Sequence, residues 1–371
     1  MRIIVSGGHF SPAYSLIKQL KKEGNEVAIA GRKYTFEGDT TESLEYEIAK
    51  KDNITFFEIK TGRIQRKLSR YTIPSILKVF FGFINSVIVI SRFKPDIVIT
   101  FGGYIGFVVS YAAFVKKIPI ILHEQTQKAG LSAKLIGIIA KKICISFESS
   151  KNYFPSGKVV FTGTPIREEI YSVKKSINVE SGYPVIYVTG GSSGSHFINL
   201  LVLQVLDKLI AKFVIIHQTG DSQKYNDFSI LNKKRESLNE EAKKRYILRK
   251  FVYPDEIGYV LNTADLVISR SGINTVAELL SLGKTSFLIP LSHGQRGEQI
   301  QNAKLLNETG IGDYIEERYI TPNKFLEKIR EMIKSKKKYE KYQKEARKYI
   351  VQDATQRIIK VIEEVYEKKT G

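Results

Sequence analysis

A glycine-rich segment in the middle of the chain has the residue types that bind phosphate. Thr189 to Ser195 reads TGGSSGS, between the apolar run PVIYV and a helical pattern that begins about His196. Glycines and hydroxyls at a helix N-terminus suit a diphosphate, because backbone N–H groups and the Ser192 hydroxyl can surround its oxygens. The lysine of a Walker loop is absent, so hydrolysis of a nucleoside triphosphate is not indicated. A purely structural turn is the alternative interpretation.

A second glycine turn, Ser6-Gly7-Gly8-His9, follows the opening run MRIIV and leads into a helix near Pro12. Glycine lets a ligand approach the backbone, and a histidine at this point is placed for proton transfer. His9 is therefore a candidate general base, with helix capping as the alternative. The G-x-G-x-x-G fingerprint is missing, and the next strand ends in AIAGRKY without the acid that binds an adenosine ribose, which argues against a nicotinamide cofactor.

Residues suited to a sugar follow two later apolar runs. Ser269 to Glu278 reads SRSGINTVAE after ADLVI, and the Glu278 carboxylate can accept hydrogen bonds from two vicinal hydroxyls, such as those of a ribose. A capping-box glutamate that bonds to the backbone is the alternative. Gln299 and Asn302 lie three residues apart on a predicted helix and carry amides that can bind sugar hydroxyls.

In the first half of the chain, polar segments also follow two of the apolar runs. His123–Thr126 reads HEQT after the run IPIIL, and Gly102–Tyr104 reads GGY after DIVITF. Four polar side chains in a row after a buried strand are poorly explained by packing. A solvated loop at the strand tip remains the alternative.

All these segments end short β-branched runs that alternate with amphipathic segments. The runs are RIIVSGG, EVAIAG, ITFFEI, DIVITFGG, IPIILHEQ, KICISF and VVFTGTP, then PVIYVTGGSSG, FVIIHQTG, YILRKFV, ADLVISRSG and TSFLIP. Apolar runs without strict alternation predict parallel strands covered by helices on both faces. The α/β pattern restarts near Pro165, which predicts two doubly wound domains, 1–164 and 165–371, with a ligand cleft between the carboxyl ends of their strands.

The tail from Pro322 is helical by composition, and the last helix can pack back on the first domain.

The net charge of +20 over 371 residues indicates an acidic partner, either nucleic acid, an anionic membrane or a phosphorylated ligand. Residues 1–165 contain 24 Lys and Arg against 12 Asp and Glu, whereas the remainder contains 34 against 26, so the first half is the more basic. A Lys-rich and Ile-rich composition from an AT-rich genome is the alternative explanation. Aromatic-interleaved RNA motifs and zinc spacings are lacking, so no nucleic-acid partner is predicted.

The only cysteine, Cys144, cannot form an internal disulfide and lies in the apolar run KKICISF, which predicts a buried strand residue.

The chain opens directly on a strand, which predicts a cytoplasmic protein without a signal peptide. The longest apolar stretch, Ile73 to Ile90, is interrupted by polar residues and predicts a buried or an interfacial helix. With Lys60, Lys78 and the basic residues between 63 and 70, it would form an apolar patch rimmed by cations.

In order, the segments SGGHFSPA, TFGGYIG, HEQTQKAGLSAK, GTPIRE, GGSSGS, SRSGINTVAE and QIQNA resemble those of the MurG family, which converts lipid I to lipid II in peptidoglycan synthesis. The resemblance implies a GT-B fold, an N-terminal domain facing the membrane acceptor and a C-terminal domain binding UDP-N-acetylglucosamine. It also implies a peripheral enzyme on the cytoplasmic face of the membrane, with an undecaprenyl-diphosphate-linked acceptor and neither cofactor nor metal.

The resemblance also assigns roles to positions of this chain. The catalytic candidates are His9 and Glu124. The donor-binding positions are Thr126, Arg167, Gly191, Ser192, Val252 (through its main chain, to uracil), Ile273, Asn274, Thr275, Glu278, Gln299 and Asn302. The acceptor-binding positions are Ser6, Gly7, Gly8, Gly103, Tyr104 and Gln125.

Three segments depart from the family pattern: SGGH replaces the longer GGGTGGH, Thr126 replaces the asparagine that usually follows HEQ, and GGSSGS replaces GGSQGA.

The expected reaction is an inverting transfer of N-acetylglucosamine to the C4 hydroxyl of the acceptor N-acetylmuramic acid, with His9 or Glu124 as the base. The alternatives are a related transferase with another lipid or sugar acceptor, and a UDP-N-acetylglucosamine epimerase on the same fold.

Overall fold

The computed structural model describes residues 1–8, 10–34, 42–62, 72–191, 194–222, 224–292 and 297–370. The chain forms two compact units, one made of Met1–Arg167 with Val351–Gly371 and the other of Glu168–Ile350. Each unit contains one parallel sheet covered by helices, which confirms the predicted α/β class with two doubly wound sheets.

Thirteen strands occur in the described residues. They are β1 (Arg2–Ser6), β2 (Glu26–Gly31), β3 (Thr55–Glu58), β4 (Ile97–Thr100), β5 (Ile120–Glu124), β6 (Lys142–Ile145), β7 (Val159–Phe161), β8 (Val185–Thr189), β9 (Val214–Gln218), β10 (Tyr246–Arg249), β11 (Leu266–Ser269), β12 (Ser286–Leu288) and β13 (Gly312–Tyr314). The first twelve coincide with the twelve predicted runs.

The same residues contain fifteen α-helices. They are α1 (Phe10–Lys22), α2 (Leu44–Lys51), α3 (Thr72–Phe93), α4 (Gly103–Val115), α5 (Leu131–Ile139), α6 (His196–Ile210), α7 (Asp227–Glu236), α8 (Glu240–Lys244), α9 (Ile257–Thr263), α10 (Ile273–Leu282), α11 (Glu298–Glu308), α12 (Pro322–Lys334), α13 (Lys336–Glu340), α14 (Gln343–Arg347) and α15 (Ala354–Thr370). Short 3-10 turns occupy Glu148–Tyr153, Glu168–Ile170 and Glu317–Tyr319.

The two sheets share one topology. Their strand orders are β3-β2-β1-β4-β5-β6-β7 and β10-β9-β8-β11-β12-β13. In each sheet the order reverses beside the first strand of the unit, between β1 and β4 and between β8 and β11. Ligands of open parallel sheets bind beyond the carboxyl ends of the strands at such a reversal. Both glycine turns of the sequence lie at these two points.

Side chains of the first sheet alternate between two cores. Ile4 packs into the core formed with α3, α4 and α5, whereas Ile3 and Val5 face the core that contains Leu16 of α1 and Ile362 of α15. This alternation is why the strand runs are apolar on both faces. The last helix therefore completes the helical cover of the first unit.

Helix α3 is apolar on both of its sides. Val89, Ile90 and Phe93 are buried in the core of the first unit. The opposite side carries exposed apolar residues at helical spacing: Leu77, Phe80, Phe81, Ile84 and Ile88. We call these five residues the α3 stripe.

None of the helices in the described part of the chain combines the length and the apolar character needed to cross a lipid bilayer.

Candidate functional site

The second unit contains a cavity of about 580 Å³ at its strand reversal. It is lined by Gly190, Gly191, Gly194, Ser195, His196, Phe197, Leu200, Tyr225, Arg270, Gly272, Thr275, Leu291, Gln299 and Glu317. Most of these residues come from the turn after β8, the start of α6, the turn after β11 and the starts of α10 and α11. Tyr225, Leu291 and Glu317 come from the loop before α7, the segment after β12 and a 3-10 turn. The cavity is large enough for a nucleotide-sized ligand.

The turn after β8 fits tightly against the rest of the unit. Gly194 has a φ of +72°, and a Cβ there would lie 1.9 Å from the carbonyl oxygen of Thr219. A Cβ at Gly190 would lie 2.2 Å from the backbone nitrogen of Ser195. Both positions therefore require glycine. Ser195 caps α6 by accepting a hydrogen bond from Ile198, so the start of this 15-residue helix opens toward the cavity.

Arg270 is a buried cation in the wall of the cavity. Its Nε donates to Ser195 Oγ at 3.0 Å, and its Nη1 donates to the carbonyl oxygen of Ile289 at 3.0 Å. Nη1 also lies 2.6 Å from Glu317 Oε2. Burial lowers the pKa of Arg270, and the negative charge of Glu317 raises it again. The guanidinium thus connects the glycine turn after β8 to the acidic side chain of Glu317, which also lines the cavity.

His196, the first residue of α6, has a fixed orientation. Its Nδ1 lies 2.7 Å from Asp227 Oδ1, and its ring stacks on Tyr225 with centroids 4.0 Å apart. Asp227 is buried and also accepts a hydrogen bond from Asn199 Nδ2 at 2.8 Å. The cavity wall therefore contains an imidazole held on one edge by a carboxylate and on one face by an aromatic ring.

Five of the predicted donor-binding positions lie in or next to the cavity wall. Gly191, Thr275 and Gln299 line the cavity. Ile273 and Asn302 are buried behind it, where Asn302 Nδ2 donates to the carbonyl oxygen of Ser271 at 3.0 Å and so supports the turn after β11.

Asn274 and Glu278 lie on the same helix as Thr275. The buried Oδ1 of Asn274 has no hydrogen-bond partner among the described residues. The N-cap of α10 is Gly272, so Glu278 is the sixth residue of the helix, too far along it for a capping box. That alternative is wrong. Glu278 lies three residues after Thr275, on the same side of α10, and is 9% exposed.

Val252 is connected to the cavity turn by Gln218. Its N–H donates to Gln218 Oε1 at 2.8 Å, and Gln218 Nε2 donates to the carbonyl oxygen of Gly191 at 3.0 Å and to Thr189 Oγ1 at 3.2 Å. A single buried amide therefore joins the ends of β8 and β10.

The first unit brings two glycine turns together at its own strand reversal. Gly7 has a φ of +133°, and a Cβ there would lie 2.7 Å from the backbone nitrogen of Phe101. A Cβ at Gly103 would lie 3.3 Å from the backbone nitrogen of Gly8. Ser6 is buried at the end of β1, and the Tyr104 hydroxyl accepts a hydrogen bond from Arg32 Nη1 at 3.4 Å.

Glu124 is buried and held by Thr126. Its Oε1 accepts hydrogen bonds from the Thr126 N–H at 2.8 Å and from the Thr126 hydroxyl at 2.6 Å. These contacts stabilise the charged carboxylate. Thr126 thus positions Glu124, in addition to its predicted place among the donor-binding residues.

His123 and Gln125 lie in the interior beside this carboxylate. His123 Nε2 contacts the carbonyl oxygen of Gly163 at 2.9 Å, and burial lowers the pKa of His123 to about 4. Gln125 Nε2 donates to the carbonyl oxygen of Phe101 at 3.4 Å. His123 therefore joins the end of β5 to the segment after β7, and Gln125 joins it to the segment after β4.

The other predicted positions have different outcomes. His9 and Ser192 lie outside the described residues, as do the basic positions of the predicted patch at 63–70. Arg167 is half-buried and ends the first of the two segments that form the first unit. Cys144 is fully buried in β6, and burial raises its thiol pKa to about 12, as expected of a structural residue.

The residue pattern did not indicate several residues of the cavity. Arg270 lies within the segment SRSGINTVAE, where the pattern indicates Glu278 and not the arginine. His196 follows the glycine turn directly, and that adjacency was the available indication. Glu317 and Tyr225 come from distant loops with no motif, so only the folded chain reveals them.

Comparison with known proteins supplies the family. Residues 3–145 match the glycosyltransferase family 28 N-terminal domain, and residues 185–358 match the glycosyltransferase family 28 C-terminal domain. A relative from Clostridium tetani named UDP-N-acetylglucosamine--N-acetylmuramyl-(pentapeptide) pyrophosphoryl-undecaprenol N-acetylglucosamine transferase is 32% identical over 99% of both chains. A relative of the same name from Clostridium novyi is 34% identical over 90% of both chains.

Two solved structures have a similar fold. The crystal structure of Acinetobacter baumannii MurG matches with a TM-score of 0.68 and 24% identity, covering 98% of this chain and 99% of that one. The UDP-GlcNAc 2-epimerase of Neisseria meningitidis, bound to UDP-GlcNAc, matches with a TM-score of 0.62 and 17% identity, covering 98% and 100%. These likenesses agree with the GT-B fold class. From its full-length relatives and its two family 28 domains, the chain belongs to the MurG family and is a glycosyltransferase.

Proposed function

We propose that the chain transfers N-acetylglucosamine from UDP-N-acetylglucosamine to the C4 hydroxyl of the N-acetylmuramic acid of lipid I, which gives lipid II for peptidoglycan synthesis. The observation that carries the proposal is the 32% identity, over 99% of both chains, to a relative whose name states a transfer between such partners. The cavity of the second unit supports it, because its lining suits a sugar nucleotide.

On the donor side, the diphosphate of UDP lies against the turn at Gly190–Ser195 and the start of α6. The partial positive charge at the N-terminus of α6 and the guanidinium of Arg270 stabilise the negative charge of the departing UDP. Thr275 and Gln299 offer polar groups to the sugars, and Glu278, on the same side of α10 as Thr275, accepts hydrogen bonds from the ribose. We propose that these groups suffice without a metal ion.

The uracil lies next to the main chain of Val252. Gln218 supports this role, since it connects the Val252 N–H to the carbonyl oxygen of Gly191 in the phosphate-binding turn. Base and diphosphate would then be positioned by one shared amide.

On the acceptor side, a base removes the proton of the acceptor hydroxyl as its oxygen attacks the anomeric carbon. The bond from that carbon to the UDP oxygen breaks, and the configuration inverts. The two candidate bases are His9 and Glu124. The Thr126 N–H and hydroxyl both donate to Glu124 Oε1, which fixes the carboxylate in position. Nothing lies within 4 Å of a Cβ added at Gly8, so the turn after β1 has room there for the acceptor diphosphate.

The acceptor is membrane-embedded, so the enzyme would work as a peripheral protein on the cytoplasmic face. The α3 stripe supports this placement, with Phe80 58% and Phe81 64% exposed. The net charge of +20 adds attraction to anionic lipid.

The deciding experiment measures UDP release from a panel of UDP-sugars, with and without an undecaprenyl-diphosphate-linked N-acetylmuramyl peptide, and with and without EDTA. We expect release only with UDP-N-acetylglucosamine and acceptor together, unaffected by EDTA, and a product whose linkage NMR assigns to C4. Conversion of UDP-N-acetylglucosamine at the same rate without acceptor would indicate an epimerase instead.

A further inference from the structure

A chain of hydrogen bonds runs from the core of the second unit to the wall of the cavity. The Tyr246 hydroxyl lies 3.0 Å from His217 Nδ1, and His217 Nε2 lies 3.0 Å from Asn199 Oδ1. Asn199 Nδ2 donates to Asp227 Oδ2 at 2.8 Å, and Asp227 Oδ1 lies 2.7 Å from His196 Nδ1. Four of the five residues are buried, and His196 is the member that lines the cavity.

The direction of every hydrogen bond in this chain follows from the partners. Asn199 Nδ2 has two acceptors, Asp227 and the carbonyl oxygen of Thr219 at 3.1 Å, so its Oδ1 must accept from His217. Burial lowers the pKa of His217 to about 3, so its neutral ring donates from Nε2 and accepts from the Tyr246 hydroxyl at Nδ1. The Asp227 carboxylate is therefore fixed in place with Oδ1 as an acceptor for His196.

This arrangement determines how His196 meets a ligand. Its Nδ1–H donates to Asp227, and its ring is stacked on Tyr225 at an interplanar angle of 11°. Ring plane and tautomer are both set, and Nε2 is the nitrogen left for a ligand. The side chain is 34% exposed and directly follows Ser195, the last residue of the phosphate-type turn.

We propose that His196 is a diphosphate-contacting residue of the donor site and that Asp227 and Tyr225 are its positioning residues. The inference rests on the proposed UDP-sugar donor and adds a contact that neither the motifs nor the resemblance assigned. A phosphate oxygen of the donor lies within hydrogen-bond distance of Nε2, on the ring edge opposite Asp227, and the contact to the phosphate is a charge-assisted hydrogen bond.

The test is calorimetric titration of UDP and of uridine into the wild-type chain and matched variants. His196→Asn keeps an N–H at the position of Nδ1 for Asp227 and removes Nε2. It should weaken UDP binding about tenfold and uridine binding less than twofold, because a charge-assisted hydrogen bond to phosphate is lost. His196→Gln, which places its amide near the position of Nε2, should lose less. Asp207→Asn, in an exposed ion pair with Lys234 at the other end of α6, is the control and should match the wild type.

The outcomes separate this inference from the proposed function. A wild-type chain that binds no UDP overturns the proposed donor. If the wild type binds UDP and His196→Asn binds it equally well, or loses uridine affinity to the same extent, only the role of His196 is overturned. Melting temperatures report whether each variant is folded. If His196→Asn does not fold, His196→Ala, which also removes Nε2, is decisive: an unchanged ratio of UDP to uridine affinity contradicts the proposal.

Discussion

Arg270 Nη1 lies 2.6 Å from Glu317 Oε2, while Nε of the same guanidinium donates to Ser195 Oγ in the glycine turn. A cation that faces the expected position of a diphosphate is thus already neutralised by a carboxylate of the protein. Glu317 therefore gives the buried Arg270 guanidinium a partner before the ligand binds. This also means that ligand and Glu317 compete for the same guanidinium.

This competition predicts opposite effects for the two partners. Arg270→Lys should weaken UDP binding about tenfold, because an ammonium cannot contact Ser195 and the ligand in the fork geometry of a guanidinium. Glu317→Gln should raise UDP affinity, because the competing carboxylate charge is removed, and cost about 1 kcal/mol of unfolding free energy. Titration calorimetry and urea unfolding measure both. Arg318→Lys, an exposed neighbouring site, is the control, and weaker UDP binding in Glu317→Gln would contradict the competition.

Strand positions were predictable because twelve of the runs carry enough β-branched residues to be recognised without context. Strand β13 was missed: its three residues, Gly312 to Tyr314, carry no β-branched side chain, and it exists because β12 offers it a parallel edge. The glycine turn at Gly190–Ser195 was also predictable, because a positive φ and a close approach of two backbone segments both favour glycine.

The remaining parts of the site depend on tertiary contacts. Glu317 reaches Arg270 from a 3-10 turn 47 positions later, and Tyr225 stacks on His196 from the loop before α7. Neither residue type is unusual in a loop. Thr126 looked like an altered sugar contact in the sequence, and only the folded chain shows its hydroxyl bonded to Glu124.

The fit of Gly194 predicts a sharp intolerance to substitution. Gly194→Ala should abolish UDP binding and destabilise the chain by more than the about 1–3 kcal/mol that positive φ alone costs a non-glycine residue, because its Cβ would overlap the Thr219 carbonyl. Gly157→Ala is the matched control, with a φ of +84° and nothing within 4 Å of the added Cβ. Urea unfolding compares the two. Equal losses would show that the close approach at Gly194 is relieved by a small shift.

The two buried histidines predict a loss of stability in mild acid. Burial lowers the pKa of His217 to about 3 and that of His123 to about 4, from 6.5. The unfolded chain takes up these protons below about pH 6.5 and the folded chain does not, so stability is complete above that pH and falls toward pH 4. At pH 5 each histidine should cost about 2 kcal/mol.

Urea unfolding at pH 7 and pH 5 measures this cost, and NMR follows the histidine ring protons. Signals of His123 and His217, assigned with His123→Gln and His217→Gln, should stay unchanged from pH 8 to pH 5. Unfolding free energies that are equal at the two pH values would contradict the expectation.

The α3 stripe predicts binding to anionic membranes. The wild-type chain should float with phosphatidylglycerol vesicles more than with neutral ones, and less at high salt. The double variant Phe80→Ser with Phe81→Ser should bind at least tenfold more weakly, since each buried phenylalanine contributes roughly 1.5–3 kcal/mol. Tyr349→Ser, another exposed aromatic, should bind like the wild type. Flotation of the double variant at wild-type levels would remove the stripe from the membrane-binding surface.

Thr126 separates a role in catalysis from a role in donor binding. Thr126→Val keeps the shape of the side chain but removes the hydroxyl that donates to Glu124. If Glu124 is the base, kcat should fall about tenfold while KM for the UDP-sugar stays constant, because the lost contact holds the carboxylate rather than the donor. Thr126→Ser retains the hydroxyl and should stay within twofold of the wild type. A higher KM with unchanged kcat in Thr126→Val would instead place the hydroxyl on the donor sugar, and steady-state kinetics with varied UDP-sugar decides between the two.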